Sequence, residues 1–210
     1  MLYLYAIAAG LGDVADLGGI QHEPLVRFSF RDTLVIAGDV TSIPVIAAEN
    51  LKAQDALVRA LHDRSAALLP MRFGMTIPEV AAIHSALAYA RIAKKLEEVR
   101  GREQMTLRIV GPAHANDPAT DETSGTAYLM SRAKRRSPSE EMAVISAGAA
   151  SIVRGVHLEP IHQHGVHGSV YHLIERGRSE EYRRLIAAAA AEVPHMRVII
   201  TGPSPAYAFA

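Results

Sequence analysis

Leu68-Leu69-Pro70-Met71-Arg72-Phe73-Gly74-Met75 lies between two amphipathic helical patterns and has the composition of neither. Pro70 biases Leu69 toward an extended backbone. An arginine and an aromatic follow, and then Gly74, which accepts a turn that other residues resist. Thr76-Ile77-Pro78-Glu79 has the pattern of a helix start, with Thr76 as N-cap and Glu79 as its capping-box partner. The octet therefore predicts a short extended segment that ends in a tight turn into a long helix. Arg72 is flanked by apolar residues and must find acceptors or carry its head to the surface. Bridging two elements of its own fold is the simpler of its readings.

Downstream, Val80, Ile83, Leu87 and Ala90 trace one stripe, and Leu96 and Val99 extend it, so a helix is expected from Ile77 to about Arg100. Gly101 is its natural stop. Met105 to Val110 alternates like a strand, and the polar stretch after it, with two prolines, marks a linker over 113–124. Upstream, Leu2 to Ala8 is apolar almost throughout and reads as a strand buried on both faces. Gly10, Gly12, Gly18 and Gly19 form a loop without the helix and acidic residue of a dinucleotide site. Val26, Phe28 and Phe30 alternate as a half-buried strand, Leu34 to Ala37 follows as its partner, and Ala47 to His62 is helical.

Beyond the linker, Gly125 to Arg132 and Ser137 to about Ala150 read as helices, and Ser151–His157 and Ser169–Ile174 as strands. Ser179-Glu180-Glu181 caps a further helix, and Met196–Thr201 is the last strand. The tail 202–210 holds two prolines and two aromatics and reads as non-regular. Strands and helices without strict alternation favour an α+β fold, with helices on one face of a mostly antiparallel sheet. The expected domains are 1–112 and 125–210, the second carrying the tail.

Lysine plus arginine and aspartate plus glutamate both count 22, so the formal net charge is zero. That balance argues against nucleic acid or an anionic membrane as the main partner. With no cysteine, disulfides and thiol chemistry are excluded. The N-terminus lacks the basic flank of a secretory signal and no run is long enough to span a membrane, so a cytoplasmic location is expected.

The most enzyme-like feature is the group His157, His162, His164, His167 and His172. Imidazoles at that density can hold zinc or nickel. Glu159 is the nearby carboxylate, and no ordered metal motif accompanies it, so a solvated histidine-rich loop is preferred over a metal-dependent enzyme or metal-binding protein. Ser124-Gly125 and Ser151 lack a nucleophile-elbow context, and Asp117, Asp121 and Glu122 sit in the linker. No catalytic, cofactor or metal residue is assigned. Tyr207 and Phe209 either fold back onto the chain or stay exposed for docking.

Three separated segments, taken in order, resemble the gas vesicle protein GvpL/GvpF family. Leu68 to Gly74 is similar to its LPxRFG signature, Gly125-Thr126-Ala127-Tyr128-Leu129 to its G-x-A-Y-L helix start, and Thr201 to Phe209 to its TGPWPPYxF ending. Ser204 stands where tryptophan is usual, Ala206 where proline is, Gln54 where a histidine is frequent, and Met75 where threonine is common. The resemblance does not separate L from F. It implies two α+β domains, the N-terminal one ferredoxin-like and the C-terminal one a smaller, modified version. It also implies an accessory role in gas vesicle assembly through binding of the small hydrophobic shell subunit GvpA, with other gas vesicle accessory proteins as further candidate partners, and without cofactor or covalent catalysis. The family-motif residues that become candidates for partner binding are Arg72, Phe73, Gly74, Tyr128, Gly202, Pro203, Pro205, Tyr207 and Phe209.

Overall fold

The computed structural model describes residues 1–78, 89–110, 140–159 and 166–210. The expected linker, the Gly125–Arg132 segment with Tyr128, and the histidines His162 and His164 lie outside the described residues, as does the expected first half of the long helix. The chain divides into two compact units, Met1–Glu103 together with Ser204–Ala210, and Gln104–Pro203.

The first unit is built on β1 (Leu2–Leu11), β2 (Leu25–Phe30), β3 (Thr33–Asp39), α1 (Ala48–Asp63), β4 (Ser65–Pro70), β5 (Thr76–Ile77) and α2 (Tyr89–Val99). Its sheet has the order β2-β3-β1-β4, with β5 also paired to β1. The central strand is apolar at consecutive positions, and Tyr3 to Ala8 are all completely buried. Since neighbouring side chains of a strand point to opposite faces, this strand is buried on both, as its unbroken apolar run predicts. One face packs Tyr3, Tyr5 and Ala8 with Leu57, Val58 and Leu61 of α1 and Leu68 of β4.

The octet differs from its reading in one decisive respect. Thr76 and Ile77 do not start a helix; they pair antiparallel with Tyr3 and Leu2 of β1. β4 pairs with the same strand further along, from Ala6↔Pro70 to Leu11↔Ser65. β4 and β5 are thus two pieces of one strand path, and Met71 to Met75 is the excursion between them. Its ends are tied to β1 by the Met71 N–H to the Tyr5 carbonyl and the Leu4 N–H to the Met75 carbonyl, both 2.9 Å. A buried backbone group without a partner costs about 1–3 kcal/mol. Pairing β1 along its length therefore outweighs a capping box at Thr76.

The second unit contains β6 (Arg102–Val110, its first residues in the first unit), α3 (Glu140–Ala147), β7 (Val153–Glu159), β8 (Val166–Glu175), α4 (Ser179–Ala190) and β9 (Arg197–Ser204). The sheet order is β7-β8-β6-β9. With its described elements in the sequence β-α-β-β-α-β, this unit carries a ferredoxin-like arrangement. In the first unit a loop from Gly12 to Pro24 stands between β1 and β2 where that arrangement has a helix. Met105, Leu107 and Ile109 of β6 pack with Met142 and Ile145 of α3 and with Tyr182 and Ile186 of α4. Ser179 is the first helical residue of α4 and not its cap; the capping position is Arg178, which gives no side-chain cap bond and pairs with Glu181 at 2.8 Å.

The C-terminus is more regular than its prolines suggest. β9 continues through Gly202 and Pro203 to Ser204, and Tyr207–Phe209 forms a 3₁₀ turn. Ser204–Ala210 groups with the first unit rather than with the expected C-terminal domain. The physical reason is burial, because Pro205, Ala206 and Phe209 are all inside and the 3₁₀ turn lies against β4.

Candidate functional site

The Met71–Met75 excursion is fastened from beneath by Tyr3. The Tyr3 hydroxyl accepts the Gly74 N–H at 2.8 Å and donates to Gln54 Oε1 at 2.6 Å. The Gln54 amide nitrogen in turn donates to the Met71 carbonyl at 3.1 Å, so one tyrosine and one glutamine hold both ends of the loop. Phe73 meets the Tyr3 ring edge-on, with centroids 6.1 Å apart. Gly74 has φ of 81°, the left-handed region where glycine is at ease, which is what lets the chain return to β1. Burial raises the pKa of the Tyr3 phenol, with the Gly74 N–H opposing it. Arg72 lies exposed on the outer side of the loop. Tyr3 and Gln54 carry this arrangement; in the sequence Gln54 stands out only as a departure from the family's frequent histidine, and nothing there links it to Tyr3. The available signal was the pair Tyr3 and Tyr5 on a strand otherwise apolar.

Tyr5 plays a parallel part for the Gly12–Pro24 loop. Its hydroxyl donates to Glu23 Oε1 and accepts the Ile20 N–H at 2.9 Å, while Glu23 Oε2 accepts the Gln21 N–H at 2.9 Å. The Glu23 carboxyl lies across Gly19 and Gly38, where an added Cβ at either position would overlap it.

The tail residues fall on two sides of the unit boundary. Gly202 has φ of 113°, and a Cβ there would come 2.7 Å from the Gln104 carbonyl oxygen, so only glycine fits. Its own carbonyl accepts from Arg183 Nη2 at 2.5 Å, and the Gly202–Pro203 peptide is cis. Pro203 is exposed and Pro205 buried. In the first unit Phe209 is buried, and the Tyr207 hydroxyl donates to Asp55 Oδ1 on α1 at 2.8 Å. Asp55 also holds Arg59, at 2.7 Å. Burial, and next the Asp55 carboxylate, push the Tyr207 phenol up. Of the tail aromatics Phe209 is therefore a core residue, while Tyr207 keeps 38% of its surface.

The apolar surface open to a partner in the first unit lies elsewhere. Before α1, Val45 and Ile46 are 72% and 83% exposed, and Ile43 and Leu51 flank them at 49% and 44%. The backbone of this loop is anchored, with Asn50 Nδ2 donating to the Val45 carbonyl and Gln21 Nε2 to the Ser42 carbonyl, each at 3.0 Å. The loop is thus held in shape with its branched side chains turned outward, as a sequence scan for motifs did not anticipate.

Of this histidine group, the described members His157 and His172 do not come together. In β7–β8, His157 stands opposite Tyr171 and Val156 opposite His172, so His157 and His172 point to opposite faces of the sheet. His172 is completely buried between Ser146 Oγ at 2.9 Å and the Tyr182 hydroxyl at 2.8 Å. Burial lowers its pKa to about 4, which makes it a neutral imidazole of the core. Beside it, Ser146 and His172 are the polar members of an otherwise apolar cleft of about 470 Å³ lined by α3, β7 and β8. Among the described residues no three histidine, aspartate or glutamate side chains gather in a way that could hold a metal ion.

Likeness to known proteins bears on this arrangement. The crystal structure of the gas vesicle protein GvpF from Anabaena sp. PCC7120 superposes with a TM-score of 0.75 at 15% identity, covering 100% of this chain and 95% of that one. GvpF from Microcystis aeruginosa gives 0.76 at 13% identity, with 99% and 98% covered. At such identities the likeness speaks for the fold. No curated protein sequence matches the chain. The family described as "Gas vesicle synthesis protein GvpL/GvpF" matches residues 1–210, the whole length. With the LPxRFG-like loop and the closing Tyr-x-Phe seated in one α+β unit, the chain belongs to the GvpL/GvpF family of gas vesicle proteins.

Proposed function

We propose that this protein is an accessory factor of gas vesicle assembly in the cytoplasm, binding the hydrophobic shell subunit GvpA or the growing shell edge without covalent chemistry. The observation that supports it best is the exposed apolar loop at Val45 and Ile46 on a protein of zero net charge. A shell subunit must shield apolar surface before it assembles, and an anchored apolar loop offers cover without reorganisation. Burying Val45 and Ile46 against a partner contributes roughly 1.5–3 kcal/mol for each side chain. The test is co-purification with the shell subunit, untagged and repeated with EDTA. Val45→Asp/Ile46→Asp is expected to fold normally and to lose the subunit. Equal retention by that variant removes the loop from the interface. No retention by the parent protein, together with stoichiometric bound metal, overturns the assembly reading.

A further inference from the structure

The motif arginine has neighbours of its own sign. Arg72 follows β4, α2 packs against β4, and Arg91 and Lys95 lie one turn apart on α2. Arg72 and Arg91 are exposed and Lys95 is half-buried. Three other arginines of the unit hold carboxylates: Arg59 pairs with Asp55, Arg64 with Asp16 and Arg100 with Glu97. Among the described residues no carboxylate lies within ion-pair distance of Arg72, Arg91 or Lys95. Lys95 is held below the usual lysine range by burial, then by Arg91, and further by Arg72, with Glu98 opposing. Clustered like charges on an otherwise neutral protein are relieved when an anion arrives.

We propose that Arg72, Arg91 and Lys95 form an anion-receiving patch that takes a carboxylate-bearing segment of a protein partner. A phosphate group is the poorer fit. Phosphate sites draw on free backbone N–H groups, and the loop's Gly74 N–H is already given to Tyr3. Planar guanidinium groups match carboxylates bidentately, and the half-buried Phe73 beside Arg72 offers apolar contact that suits a side chain. Zero net charge over the chain gives no long-range attraction for a polyanion, so the patch acts at contact range. The chemistry of the contact is the same whether or not the shell subunit supplies the segment.

The experiment uses the full chain with its lysines labelled by reductive ¹³C-methylation, which keeps their charge, and Lys95→Arg to assign the Lys95 signal. Capped hexaglutamate is titrated in. The Lys95 signal is expected to move and its titration to shift upward, with binding that weakens as salt rises. Arg72→Gln/Arg91→Gln, whose fold is checked by circular dichroism, should bind at least about tenfold more weakly. A Lys95 signal unmoved by hexaglutamate overturns the proposal. So does a folded double variant that binds as tightly as the parent, or an equal response to inorganic phosphate at matched concentration. Should the double variant fail to fold, the parent still decides: hexalysine must leave Lys95 unmoved, and an equal response to it refutes the patch.

Discussion

Replacing Tyr3 by Phe removes one oxygen and strands two groups. Tyr3 is completely buried, and its hydroxyl is the partner of both Gln54 Oε1, at 2.6 Å, and the Gly74 N–H, at 2.8 Å. A buried polar group left unsatisfied costs about 1–3 kcal/mol, and the variant no longer has to bury the hydroxyl itself, so the net loss is about 2 kcal/mol. That is a large share of a typical stability of about 5–15 kcal/mol. Urea unfolding followed by circular dichroism should show a lower midpoint at unchanged slope. The Gly74 amide should also exchange roughly 30-fold faster, if its opening follows the same free energy. Gln54→Leu strands the same hydroxyl from the other side, so Tyr3→Phe/Gln54→Leu should cost less than the sum of the singles by about 1 kcal/mol. Additive effects, or a Tyr3→Phe midpoint equal to the parent's, would show that the hydroxyl does not hold the loop.

Other perturbations address other parts of the chain. His172 has its folded pKa lowered to about 4 by burial, against 6.5 when unfolded. Its contribution is therefore complete above the unfolded value and is lost as pH falls toward the folded one, about 2 kcal/mol between pH 7 and pH 5. Urea midpoints across that range should fall less in His172→Gln than in the parent. Gly202→Ala forces a Cβ to 2.7 Å from the Gln104 carbonyl at φ of 113°. It should lower stability by about 1–3 kcal/mol, read as an earlier urea midpoint. Tyr207→Phe removes the bond to Asp55 while leaving Phe209 buried, so hydrogen exchange should quicken at Tyr207–Phe209 with a global loss of only about 0.5–1.5 kcal/mol.

Local periodicity carried much of the fold. Alternation in Val26–Phe30 and Met105–Val110, and helical spacing in Ala47–His62, each lead to an element within a few residues of its observed bounds. What periodicity could not give was pairing. Thr76-Ile77-Pro78-Glu79 satisfies every local rule for a helix start, yet the unpaired edge of β1 at Leu2 and Tyr3 decides what Thr76 and Ile77 become. Register likewise separates two of the histidines. His157 and His172 lie close enough in sequence to count as one group, whereas strand register sets them on opposite faces of one sheet. Val45 and Ile46 match no motif at all; their exposure follows from backbone anchors at Asn50 and Gln21, which are tertiary.

The residues that carry the family resemblance divide by direction, and the division decides what their substitution can report. Phe73 and Gly74 face inward onto Tyr3, Gly202 is closed in by Gln104, and Pro205 and Phe209 are buried. Changing any of these perturbs packing or backbone geometry first, so lost partner binding would not separate an interface from a damaged fold. Arg72 is different: it is exposed, and no carboxylate among the described residues pairs with it. Tyr207 stands between these cases, with one bond to Asp55 and 38% of its surface open. Partner contacts are therefore best sought with Arg72→Gln and with Val45→Asp/Ile46→Asp, each paired with a urea midpoint. Binding lost at an unchanged midpoint assigns an interface. Binding and stability lost together return the residue to the fold.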